Sequence, residues 1–237
     1  MSSRQEEKER RRAEREAREH AEARKASGRR RLQLVGAAVL GIAAVAAIIA
    51  AIVSATGGGG DSTASANNNL ADVPIPARKV YDLDAAAKAA GCTWKQHKDE
   101  GHEHIADTAT FKGYKTNPPT SGTHRITPAD DGIYPPDAPP SVNATVHSLE
   151  HGRIDIQYKP GTTPRRIGQL QTLVNEKVKG VPGFHELLFK NTTKMPYAVA
   201  ATSWTRSITC PEWNDQVFDA IRAFRDKWVD HGREVVM

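Results

Sequence analysis

Six of the nine histidines fall between His97 and His151: His97, His102, His104, His124, His147 and His151. Imidazole is the commonest side-chain metal ligand and the usual proton shuttle near neutrality, so such a cluster points to coordination or proton transfer. Two stretches concentrate the signal. In Asn117-Pro118-Pro119-Thr120-Ser121-Gly122-Thr123-His124, two prolines fix φ and Gly122 permits a turn, which holds the imidazole at low entropic cost. In His147-Ser148-Leu149-Glu150-His151-Gly152, the two histidines stand four apart and face the same way on a helical turn. Glu150 completes the H-x-x-E-H order in which two histidines hold zinc and the glutamate activates water. That match is five residues long, and Gly152 with the strand after it leaves no extended helix to present it. A hydrolase using Glu150 is therefore the third reading. His102 and His104 flank Glu103, so in an extended segment both point to one face.

Four imidazoles, His104, His124, His147 and His151, can close a single site, with Glu150 orienting them from behind. Imidazole-rich ligation without cysteine suits copper or zinc. A metal-free reading stands beside it: an interaction domain in which these histidines hydrogen-bond and stiffen loops. His20, His185 and His231 are unclustered. The chain has no G-x-x-x-x-G-K-[ST], no G-x-G-x-x-G after a strand and no G-x-S-x-G. Ser121 lies near His124, but three residues in a tight loop make a weak nucleophile–base pair. Asn143-Ala144-Thr145 and Asn191-Thr192-Thr193 fit a glycosylation pattern that is frequent by chance. Trp94, Trp204, Trp213 and Trp228 read as core.

The elements that must position these residues occupy one part of a four-part chain. Net charge is +5, but residues 1–31 hold 12 Lys/Arg against 7 Asp/Glu, leaving 21 basic and 21 acidic side chains in the other residues. The main body is neutral, which speaks against a nucleic-acid partner. In the tail, Glu6–Arg10, Glu7–Arg11 and Glu14–Arg18 stand four apart and support a solvated helix with no apolar stripe. Arg29, Arg30 and Arg31 suit contact with anionic lipid headgroups. Leu34 to Ala55 is uncharged for 22 residues, which as a helix spans about 33 Å, enough for a hydrocarbon core. We expect one transmembrane helix over 32–56, with residues 34–55 in the bilayer. The arginines before it and the absence of Lys/Arg until Arg78 put the N-terminus in the cytoplasm and the C-terminus outside the cell membrane. A cleaved signal peptide, with Val53-Ser54-Ala55 as its cleavage site, is the rival; the charged lead and the apolar run are both long for one. Residues 57–69, rich in Gly, Ser, Thr, Ala and Asn, read as a flexible linker.

Residues 70–237 form the extracytoplasmic working domain. Asp82 or Asp84 caps a short helix that ends at Gly91. Ile154, Ile156 and Tyr158 alternate with Asp155 and Gln157, the mark of a strand with one buried face. Thr163-Pro164 opens a helix with Ile167, Leu170, Val174 and Val178 on one side. Glu186–Phe189 and Tyr197–Ser203 read as strands, and about Asn214–His231 as a final helix. Without a βαβ rhythm the class is α+β: a single domain with a small mixed or antiparallel sheet and flanking helices. Cys92 and Cys210, on the oxidising side of the membrane, either pair or stay free. Pairing is the expectation, and redox catalysis has no C-x-x-C to support it.

The motif Asn117-Pro118-Pro119-Thr120-Ser121-Gly122 with His124, followed by Val146-His147-Ser148-Leu149-Glu150-His151-Gly152, resembles the bacterial family catalogued as domain of unknown function 3105. The likeness runs from about Cys92 to the end of the chain, with His104-Ile105 where that family shows His-Val. It implies a single-pass or exported protein, often actinobacterial; the family name supplies no activity. Two departures stand out: Arg125 follows His124 in place of an aromatic, and Arg233-Glu234-Val235-Val236 replaces a Pro-Glu ending.

Overall fold

The computed structural model describes residues 73–234. The charged arm, the apolar segment and the linker read from the sequence lie outside them. Among the described residues, no helix is long and apolar enough to cross a membrane.

The fold is α+β. Among the described residues, helices α1 (Leu83–Ala90), α2 (Val142–Glu150), α3 (Pro164–Val174) and α4 (Val217–Trp228) accompany ten strands. Six of these form a mixed sheet: β1 (Thr93–Gln96), β10 (Arg206–Cys210), β9 (Val199–Ser203), β5 (Ile154–Tyr158), β8 (Glu186–Lys190) and β4 (Gly132–Ile133), in that spatial order. Pairing is antiparallel from β1 to β5 and parallel across β5, β8 and β4. The parallel pair β2 (His104–Ile105) and β3 (His124–Arg125) stands apart, as does the β6 (Lys177–Val178) and β7 (Val181–Pro182) hairpin.

Local chemistry accounts for the element ends. Asp82 accepts from the Ala85 amide, and Gly91 (φ 65) closes α1 in the left-handed region. Thr163 and Pro164 open α3 in the same manner. The main core lies between one face of the sheet and α1, α3 and α4. There Ile154, Ile156 and Ile208 meet Leu83, Leu170, Phe218, Ile221 and Phe224. Cys92, just after α1, is bonded to Cys210 at the end of β10, a cross-link over 118 positions.

Three sequence expectations change in tertiary context. The strand Ile154–Tyr158 is buried along both faces, because α2 packs on the side carrying Asp155 and Gln157. Val178 leaves the α3 stripe to pair with Val181 in the small hairpin. The last helix is shorter than expected, Val217–Trp228: Gln216 before it makes no side-chain cap bond, and the backbone turns extended at Val229. Strands β1 and β10 have no clear alternation in the sequence. They form because each supplies the ladder the other needs.

Candidate metal centre

Three segments bring the cluster together, and each is held mainly by its backbone. Parallel pairing of β2 with β3 sets His104 opposite His124. The Gly122, His124 and Ile126 amides donate to the Gly101, Glu103 and Ile105 carbonyls, continuing the ladder on both sides. The Asn117–Pro118 peptide is cis, and the loop after it is buried: the Ser121 hydroxyl accepts the Glu100 amide, and the Thr205 amide donates to the Thr120 carbonyl. Ser121 is thus engaged in loop structure. The third segment is α2. It runs nine residues, longer than the single turn its sequence promised, and ends at His151. Its Val146 and Leu149 pack with Trp204, and its Ser148 hydroxyl donates to the Ala129 carbonyl.

His104, His124, His147 and Glu150 each present one ligand atom, and these atoms lie within 4.8 Å of one another. Their orientation follows from the backbone. His124 Nδ1 is 2.7 Å from the Gly122 carbonyl and His147 Nδ1 is 2.6 Å from the Arg125 carbonyl. A carbonyl only accepts, so both rings carry their proton on Nδ1 in the neutral form; the His124 Nε2 lone pair is then left for the cluster, while that of His147 accepts from His151 Nε2–H. His124 Nε2 approaches Glu150 Oε2 at 3.0 Å and His104 Nε2 approaches the same oxygen at 3.7 Å. The close pair lacks hydrogen-bond geometry. His124 Nε2 and both Glu150 oxygens are buried with no hydrogen-bond partner. A carboxylate and an imidazole lone pair facing each other in a dry pocket repel unless a cation lies between them.

Burial also sets the protonation states. It pushes His147 down to about 4, against the pull of its bond to the Arg125 carbonyl. It lowers His104, aided by the neighbouring His124, and lowers His151, aided by Arg153. Burial alone would raise the Glu150 carboxyl, but the surrounding imidazoles, His124 first, hold it below the ordinary glutamate value. Neutral His104 and His147 beside an ionised Glu150 are in the states that metal ligation requires.

His151 sits at the margin. Its Nε2 is 2.9 Å from His147 Nε2 and 3.7 Å from Glu234 Oε2, and it groups with Glu150 and Glu234, not with His104 and His124. Glu150, placed behind the imidazoles in the sequence reading, stands among them. Arg233 and Glu234 join the surroundings without any local motif to announce them: the Arg233 guanidinium is 3.5 Å from Glu150 Oε1. Their one signal in the sequence is the departure from the Pro-Glu ending. The remaining described histidines serve elsewhere. His97 bonds the Ser207 hydroxyl, His185 bonds Asp230, His231 bonds the Val229 carbonyl, and His102 is exposed. Asn143 and Asn191 are buried, their amides bonded to the Phe111 carbonyl and to Gln157, so neither glycosylation pattern presents a free acceptor.

No curated protein and no solved structure matches the chain. A family model described as a protein of unknown function (DUF3105) matches residues 104–234, beginning at the first cluster histidine and ending at Glu234. That span covers more than half of the 237 residues and every member of the cluster, and the chain therefore belongs to the DUF3105 family.

Proposed function

We propose that this is a metal-binding domain in which His104, His124, His147 and Glu150 hold one copper(II) or zinc(II) ion. The observation that carries the reading is the set of unpartnered buried atoms, His124 Nε2 and the two Glu150 oxygens, with the His124 ring oriented by its Nδ1–H bond to the Gly122 carbonyl. Three imidazoles and a carboxylate suit either metal: zinc takes four such donors in tetrahedral array, copper(II) takes N and O donors in tetragonal array. As a ligand, Glu150 is no longer available as a free general base, which weighs against the hydrolase reading. The sequence further supports a domain held outside the cell membrane by residues 34–55, and the Cys92–Cys210 bond fits an oxidising compartment.

The test is a titration of the full-length chain, in detergent, with zinc(II) and copper(II) after removal of metal by chelation. Wild type should bind one ion at the cluster with Kd of about 1 μM or tighter, and His124→Ala should lose that step while keeping its circular dichroism. Ion at 100-fold excess over Kd should raise unfolding stability by about 2.7 kcal/mol. Wild-type binding no tighter than that of His124→Ala would refute the site. It would leave the metal-free reading, in which the ionic contacts of Glu150 with His124 and Arg233 close the network.

A further inference from the structure

Glu150 has two oxygens, and the inner site uses one. Oε2 faces His124 and His104, whereas Oε1 lies toward the C-terminal segment, 3.5 Å from the Arg233 guanidinium, and is buried without a hydrogen-bond partner. Beside the inner group a second convergence exists: Glu150, His151 and Glu234 each offer a ligand atom within 4.8 Å of the other two. We infer that Glu150 is a bridging carboxylate and that Glu150, His151 and Glu234 form an outer cation site beside the inner one.

The placement of Glu234 is built in. The Asp230 amide donates to the Gly152 carbonyl and the Glu234 amide to the Glu150 carbonyl, so the chain end is laid along the end of α2. The approach is so close that a Cβ on Gly232 would stand 2.1 Å from the Glu150 carbonyl oxygen. This brings the Glu234 carboxylate to His151. His151 Nε2 faces His147 Nε2 at 2.9 Å. Once an inner ion takes the His147 lone pair, the His151 Nε2–H loses its acceptor; with its proton moved to Nδ1, His151 turns an Nε2 lone pair toward a second cation. Two carboxylates and one imidazole are a harder donor set than the inner three imidazoles and carboxylate, so the outer site accepts zinc(II) and also manganese(II). Three protein donors leave positions open to water.

Charge sets the order of filling. An inner divalent ion with one carboxylate leaves a net single positive charge, and Arg233 adds another, so the outer ion binds second and more weakly. The Arg233 side chain is 40% exposed and free to swing into solvent when that ion arrives.

This inference rests on the inner site, and the experiment separates the two. The full chain is loaded with one equivalent of zinc(II), desalted, and titrated with manganese(II), whose free aqua ion is followed by electron paramagnetic resonance. Zinc retained and one manganese(II) taken up is the expected result. Glu234→Gln should keep its zinc and weaken manganese binding at least about tenfold, while Arg233→Gln, which removes the competing cation, should strengthen it. Zinc retained with no manganese bound, or Glu234→Gln binding manganese as wild type does, overturns the outer site alone. A chain that retains neither zinc(II) nor, loaded in parallel, copper(II) overturns the inner site, and this inference with it; one that retains copper(II) alone is titrated with manganese(II) in that form.

Discussion

Gly232→Ala probes how firmly the chain end is seated on the cluster. A methyl group there would lie 2.1 Å from the Glu150 carbonyl oxygen, 2.3 Å from the Gly152 nitrogen and 2.8 Å from the Glu150 carbonyl carbon. All three are backbone atoms at the junction of α2 and β5, so no side-chain rotation relieves the overlap. Relief requires the chain to move by about 1 Å or more, beyond what well-formed hydrogen bonds tolerate. The two that anchor it, Asp230 to Gly152 at 2.8 Å and Glu234 to Glu150 at 2.9 Å, should both be lost. At about 0.5–1.5 kcal/mol each, the expected destabilisation is about 2 kcal/mol. For a domain of this size that lowers Tm by about 4–8 °C. Thermal denaturation gives the first readout, and amide hydrogen exchange at Asp230 and Glu234 gives the second, since both amides should lose protection. The inner site uses no atom of residues 230–234, so its first zinc(II) should bind with Kd within about threefold of wild type. An unchanged Tm with both amides still protected would show that the close approach does not exist.

Other outcomes follow from buried charge and from the cross-link. Because burial holds His147 near 4, below its ordinary 6.5, the unfolded chain binds more protons between those values. The metal-free protein should therefore lose up to about 3 kcal/mol as pH falls through that window, a slope that chemical denaturation should find reduced in His147→Gln. Asp155, buried in β5, has its carboxyl pushed well above the ordinary range by burial, so it opposes folding as pH rises past that ordinary value. Asp155→Asn should raise Tm at neutral pH, by about 1–3 kcal/mol of stability, and flatten the alkaline side of the profile. Replacing Cys92 and Cys210 together with alanine frees a loop of more than a hundred residues, and should cost about 4–5 kcal/mol in denaturant titrations on the loop-entropy account.

Much of the site was legible before any coordinates. His104, His124, His147 and Glu150 were all singled out, because histidine enrichment and a proline-fixed loop are local signals that survive in one dimension. The role of Glu150 was not legible. An H-x-x-E-H run says which side chains share a helical turn, but not that Glu150 falls among the imidazoles while His151 turns to the margin. That division depends on where β2 and β3 lie over α2. Glu234 and Arg233 were invisible as partners, since more than eighty positions separate them from Glu150.

The same division holds for the fold. Caps at Asp82, Thr163 and Gly91, the β5 alternation and the α+β class are consequences of neighbouring residues, whose dihedral and hydrogen-bond preferences act within a few positions. Strand order, the burial of β5 on both faces and the meeting of Cys92 with Cys210 belong to the tertiary structure. So does the meeting of four ligand atoms at one point. Composition and spacing selected the donor types. Only packing of distant segments brings the buried, unpartnered His124 Nε2 and Glu150 oxygens together beside the exposed His104, and those unmet lone pairs are what give a cation a reason to bind.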